Sequence, residues 1–249
     1  MHAPPCWRAL HDSLQYASVS IKTLGRFCVH QRNGTLLPWQ GGGAGSTKLM
    51  HAFGLLLTHR DQFVSHTDIQ MVTECASKRL HFMSTAVGTM VKHWGIGAAL
   101  EHTWRGLRLR SHPTWHTDTD MLVLTYTCAQ QQQQDGQQQQ ALALLEQAAE
   151  LCIGSYLLGY EPAPDYEVPQ QSHHWLAYQK QVLHDLLHLL MAHPRIPGRL
   201  TLADHSVQRL LKLGFSNAAD YRLAAELYLC LDRPRLAALY EQKARKTPY

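Results

Sequence analysis

ASKRLHFMSTAVGTMVKHW, residues 76–94, is the stretch whose reading decides the fold. At helical spacing Leu80, Met83, Val87, Val91 and Trp94 fall on one side, while Lys78, His81, Thr85 and Lys92 fall on others. The pattern predicts an amphipathic helix with one side to pack and another to offer a partner. Gly88 sits within it and weakens it by about 1 kcal/mol relative to Ala.

Upstream of this helix the apolar period changes. Val19, Ile21 and Thr23 alternate with Ser20 and Lys22, then Phe27 and Val29 follow Gly25, and Asn33-Gly34 turns the chain into Thr35-Leu36-Leu37. This predicts a hairpin opening a small antiparallel sheet. Residues 1–17 read as a leader, with Pro4 and Pro5 stopping early structure and a short helix from Trp7 to Tyr16. The run from Gly41 to Lys48 is rich in glycine, but its spacing is not that of a phosphate-binding loop, because Ser46-Thr47 precede Lys48 and Leu49 follows it. It reads as a loop leading into a helix from Thr47 to His59, with Leu49, Phe53, Leu56 and Leu57 on the core side. Ser65 and Asp68 have capping-box spacing, which predicts a short second helix from Thr67 to Glu74.

Downstream, Gly95 and Gly97 end the helical pattern. The segment from Ala99 to Trp104 and that from Leu107 to Arg110 read as two strands around Arg105-Gly106, with basic side chains projecting from the second. Asp118 and Asp120 follow Trp115, where junction packing and helix capping are expected of them rather than acid chemistry. Residues 130–140 are glutamine apart from Asp135-Gly136 and read as a flexible loop or frayed helix end. Helical segments are then expected at 141–153, 172–192, 200–213, 217–231 and 233–247, separated by Pro162, Pro164 and Pro169, by Pro194, Pro197 and Gly198, by Gly214 with Ser216-Asn217, and by Asp232 before Pro234. The last two carry Ala224, Ala225, Tyr228, Leu236, Ala238 and Tyr240 at the spacing of a tetratricopeptide repeat.

At 249 residues the chain can bury two modest cores. Residues 1–116 hold 12 Lys and Arg against 5 Asp and Glu, whereas residues 117–249 hold 11 against 14. A basic first half joined to a mildly acidic second half suits a nucleic-acid-facing module attached to a protein-facing one. Six cysteines without a C-x-x-C pair fit neither a zinc ribbon nor a disulfide framework, so a reducing cytoplasm is expected. No transmembrane run and no secretory leader are evident. His184 and His188 stand one helical turn apart, but two ligands are too few for a metal site, and Asp185 stands where a zinc-protease helix would need Glu. No nucleophile elbow, catalytic carboxylate motif or dinucleotide fingerprint appears, so neither catalytic residues nor a cofactor are expected.

Five segments together resemble the antibiotic-regulatory-protein (SARP) type of bacterial transcriptional activator: SIKTLGRFCVHQRNGTLL, KLMHAFGLLLTHRDQFVSHTDI, RGLRLRSHPTWHTDTDML, ALALLEQAAELCIGSYLLGY and HHWLAYQKQVLHDLLHLL. The resemblance spans residues 18–249. It implies a mainly α chain with a small β component: a response-regulator-type winged helix-turn-helix at 18–116, then a tetratricopeptide-like bacterial transcriptional activator domain at 117–249. It further implies a non-enzymatic regulator that binds duplex DNA through the first domain and a protein partner, such as RNA polymerase, through the second. On this sequence the DNA-facing candidates are Lys78, Arg79, His81, Thr85, Lys92, Arg105, Arg108 and Arg110. The departure lies in the opening stretch. Where the family has Ser-Arg-Leu-Arg-Arg, this chain has Thr85, Ala86, Val87, Gly88 and Thr89. Without bidentate arginines, each worth about 1–3 kcal/mol of base discrimination, the helix loses sequence reading. The competing expectation is an adaptor subunit of a larger assembly that no longer reads an operator, with Phe82 beside the arginine-free positions.

Overall fold

The computed structural model describes residues 16–39, 43–75, 80–158, 160, 168–193, 198–214 and 216–247, with backbone alone at 43, 44, 80 and 168–170. The chain is mainly helical with a small β component. It divides into two units, one of Met1–Met121 with Tyr156–His173 and the other of Leu122–Ser155 with His174–Tyr249. The expected boundary at 116/117 thus lies at 121/122, and one later segment belongs with the first unit. The expected leader helix lies outside the described residues except for its last position, Tyr16.

In the first unit, β1 (Val19–Lys22) pairs antiparallel with β2 (Cys28–Gln31), which pairs with β3 (Leu36–Leu37) across the predicted Asn33-Gly34 turn. Ile21 and Val29 stand opposite each other and are both fully buried, so the period-two pattern turns one face of the sheet into the core. Helix α1 (Gly43–Thr58) begins four residues before the expected Thr47. Its glycines supply the first turn, whose N–H groups have no partner within the helix in any case. β4 (Val64–Ser65) leads into α2 (His66–Thr73), which Ser65 caps: its hydroxyl accepts from the Asp68 amide, and Asp68 accepts from the Ser65 amide in return. Helix α3 (Leu80–His93) is the described part of the opening stretch; residues 76–79 lie outside the described residues. Met83, Val87, Val91 and Trp94 are buried, as their spacing requires. Trp94 meets Phe53 of α1 edge-on at 5.1 Å and Trp39 at 5.2 Å.

After a 3-10 turn at Gly97–Ala99 come β5 (Leu100–Thr103), β6 (Gly106–Leu109) and β7 (Trp115–Thr117). β6 pairs on one side with β5 and on the other with β4, whereas β7 runs parallel to β1 and completes the first sheet. Later in the chain, Tyr156 and Leu158 bridge to Leu24 and Arg26. The Tyr160 ring then packs so tightly over Gly54 that a β-carbon there would lie 2.5 Å from it.

α4 (Asp118–Gln134) starts in the first unit and fixes it. The buried Asp118 carboxylate accepts from the Thr23 amide at 2.7 Å and the Leu24 amide at 3.0 Å, just past the end of β1. Burial pushes this carboxyl above its usual range, against the lowering pull of the bonds from Thr23 and Leu24. Asp120 closes a second capping box with Thr117 and accepts two hydrogen bonds from Arg60 at 2.6 and 2.7 Å. Burial works against the charge of Asp120 too, but the Arg60 bonds outweigh it and hold this carboxyl below its usual range.

The glutamine run is not a loop. Gln130 to Gln134 form the last turns of α4, and Gln138 to Gln140 open α5 (Gln138–Leu151). Between them Gly136 takes φ +75°, with the Gln137 amide donating to Gln132 O and the Gly136 amide to Gln133 O, a Schellman closure. Glutamine is a good helix former, and Asp135-Gly136 supplies the stop. α6 (Val168–Ala192) starts four residues early and takes Pro169 into its first turn, where a missing N–H costs little. α7 (Arg199–Lys212), α8 (Ala218–Cys230) and α9 (Pro234–Lys246) follow.

Ala224, Ala225 and Tyr228 of α8 are buried as expected, but on α9 the buried positions are Ala237 and Ala244, while Leu236 and Ala238 are exposed. Tyr240 packs as expected, its ring stacking on Tyr228 at 5.4 Å, but the buried positions beside it are Ala237 and Ala244, three before and four after it, in place of Leu236 and Ala238. Asp220, almost wholly buried, forms a capping box with Asn217, receives Lys180 Nζ at 2.7 Å and lies 2.9 Å from His184 Nε2.

Two predictions follow from these carboxylates. Asp118→Ala leaves two buried amides without an acceptor and should destabilise the first unit by about 3 kcal/mol in urea unfolding, with Asp118→Asn costing less. For Asp220, burial acts upward, but the bonds from His184, Lys180 and Asn217 hold its carboxyl down at about 2. A folded-state pKa below the unfolded value contributes stability that is present above the unfolded pKa and is lost as pH falls through the folded one. Asp220→Asn should therefore cost about 2 kcal/mol at pH 7, and the deficit should shrink as unfolding is measured from pH 4 down to pH 2.

Candidate functional site

The described residues among those that the sequence singles out for partner contact lie on α3 and on or just beyond the β5–β6 hairpin of the first unit. α3 presents His81, Phe82, Thr85, Thr89, Lys92 and His93 to solvent. Ala86 and Gly88 are half-buried, and Val87 is fully buried. The three positions without arginine thus lie on or beside the open face, with Val87 anchoring the helix between them. A β-carbon at Gly88 would meet only Leu100 Cδ2, at 3.9 Å, so packing does not demand glycine there.

β4 holds the hairpin against the helices, since Val64 is registered with Leu107 and Ser65 with Gly106. Leu107 and Leu109 point into the core, while Glu101 and Arg108 stand opposite each other on the outer face. This pairing consumes the Arg108 charge: its Nε donates to Glu101 Oε2 at 3.0 Å, its Nη2 donates to the same oxygen, and the guanidinium lies 4.4 Å from the Phe63 ring centroid. Arg108 thus projects from the outer face, as expected, with Glu101 as its partner. Arg110 is exposed just beyond the strand, and Arg105 is exposed at the tip. Lys78 and Arg79 lie outside the described residues.

The tip holds what the sequence reading missed. Trp104 is 83% exposed, and the Arg105 guanidinium lies over its ring at 4.9 Å. A bulky aromatic in a two-residue hairpin loop, where Asn, Asp or Gly is usual, was the signal in the sequence. The loop is tied down by Thr103, whose hydroxyl accepts from the Arg105 amide at 3.2 Å and donates to Gly106 O. Gly106 takes φ +155°, and a β-carbon there would lie 2.0 Å from Val64 O. Only glycine allows β4 so close to the hairpin.

Elsewhere in the first unit a cavity of about 490 Å3 is lined by Tyr16, Arg60, His112, Trp115, His116 and Asp120. Arg60 and Asp120 bind each other, and His112 Nδ1 pairs with the Thr114 hydroxyl at 2.8 Å. Burial lowers the pKa of His116 and favours its neutral form. In the second unit His184 is tied to Asp220 while His188 is exposed, and among the described residues no group of three or more His, Cys, Asp or Glu is placed to hold a metal ion. Burial pushes the Cys152 thiol up to about 12, which keeps it protonated. No family model matches the chain, and neither a curated protein nor a solved structure matches it.

Gly106→Ala should separate β4 from β6. Hydrogen exchange is expected to rise at Val64, Ser65 and the hairpin amides, while α1 stays protected.

Proposed function

We propose that the chain is a transcriptional regulator whose first unit is a response-regulator-type winged helix-turn-helix, as in the antibiotic-regulatory-protein activators, and that this unit binds duplex DNA. On this reading α3 approaches the major groove, the β5–β6 hairpin is the wing, and the helical second unit is a tetratricopeptide-like domain that takes a protein partner such as RNA polymerase in the cytoplasm. The observation that carries the reading is the pairing of β4, which lies between α1 and α2, with β6 of the hairpin. That pairing sets a solvent-facing helix and a basic-tipped hairpin on one body. Among the described residues no helix is long and apolar enough to cross a membrane.

The distribution of cations determines the kind of binding. With no arginine on the α3 face and Arg108 held by Glu101, the described candidates for phosphate contact are Lys92, Arg105 and Arg110, with His81 and Thr85 as hydrogen-bonding groups. Affinity then rests on phosphates, and base discrimination is weak. An adaptor role has one observation in its favour: Phe82 is 72% exposed on the uncharged part of α3, as a protein contact would require. A solitary monomer recovered from the native host would count against the adaptor.

Titration of the purified chain with duplex DNA across a salt series tests the main reading. The expected slope of log K against log salt is about −3 to −5, one unit of which disappears with Arg105→Ala and another with Arg110→Ala. Binding at background level in low salt, with no slope, would sink it.

A further inference from the structure

We propose that Trp104 at the hairpin tip is a stacking wedge for DNA: it inserts at an opened base step while Arg105 holds the adjacent phosphate, so that the protein prefers deformable or interrupted duplex to regular duplex. The proposal rests on the DNA-binding reading above and adds to it a contact residue and a substrate preference.

Three observations lead there. Trp104 is the most exposed of the large apolar side chains described, at 83%, so its indole stands open to a flat partner. The tip is also pre-organised. Thr103 brackets it on both sides, and Gly106 seats it against β4, so little ordering is required when the indole meets a flat partner. Finally, the local charge favours an anion. Arg105 lies over the ring and no carboxylate among the described residues pairs with it, while Glu101 is already held by Arg108. An aromatic face beside an unpaired guanidinium matches a base beside its phosphate, because every base offers a π-face and every nucleotide a negative charge. Phe82 on α3 does not meet these conditions, since its ring neighbour is His81 and no cation among the described residues lies over it. Side-chain wedges of this kind unstack a step and kink the duplex, which costs least where the step is flexible or already interrupted.

The test uses the full chain with two duplexes of the same sequence, one regular and one carrying a central one-nucleotide bulge. Wild type should bind the bulged duplex about tenfold more tightly, with quenching of tryptophan emission. Trp104→Ala should abolish both the preference and most of the quenching, Trp104→Phe should keep the preference, and the salt slope should fall with Arg105→Ala. Circular dichroism of each variant guards against misfolding, which is not expected at an exposed tip. Equal affinity of wild type for both duplexes, or a preference that survives in Trp104→Ala, would overturn the wedge and leave DNA binding standing. No binding to either duplex at low salt would overturn the DNA-binding reading itself.

Discussion

Two carboxylates two positions apart, Asp118 and Asp120, tie the elements of the first unit together. Asp118 supplies the acceptor that the Thr23 and Leu24 amides need as β1 ends, and Asp120 holds Arg60 just past the end of α1. Both lie in the first turn of α4, and Thr117 at the end of β7 is capped by the same Asp120. The first sheet, the first helix and the start of α4 therefore share one polar anchor. An unmade hydrogen bond in such a place costs more than a made one gains, so the anchor disfavours other arrangements of these elements within the first unit. α3 depends on that arrangement through Trp94, which packs against Phe53 of α1.

On the open face of that body the balance of charge matters more than its total. The first half carries a moderate basic excess, and part of it is paired: Arg60 with Asp120, and Arg108 with Glu101. What remains on the hairpin is sparse and accompanied by aromatic surface, with Trp104 under Arg105 and Phe63 under Arg108. Missing bidentate arginines remove about 1–3 kcal/mol of discrimination per pair, whereas base stacking supplies a similar amount per base without regard to sequence. On the proposed DNA-binding reading, a surface of this composition favours the shape and deformability of the duplex over its base sequence.

Most of the fold could be read locally. The Ser65–Asp68 capping box, the Asn33-Gly34 turn, the core side of α3 and Pro234 at the first position of α9 were each visible within a few residues. The Thr117–Asp120 capping box, which opens α4, is local as well, and so is the helix propensity of the glutamine run ahead of Asp135-Gly136, which decides between its loop and helix-end readings. Other features depend on partners far apart in sequence. The Arg60 bond to Asp120 spans sixty positions, and the seating of Tyr160 over Gly54 spans more than a hundred. The candidate site falls between these cases. Its helix and strands were legible, whereas the loss of Arg108 to Glu101 follows only from the register of the hairpin, which sets the two residues opposite each other.

The central claim, that α3 and the β5–β6 hairpin meet DNA, is tested most directly by an amide-resolved NMR titration of the full chain with a short duplex at low salt. The account predicts chemical-shift changes concentrated in residues 81–93 and 101–110, with the Trp104 indole signal among the largest. Changes confined to α7, α8 and α9, or none in those two segments at saturation, would contradict it.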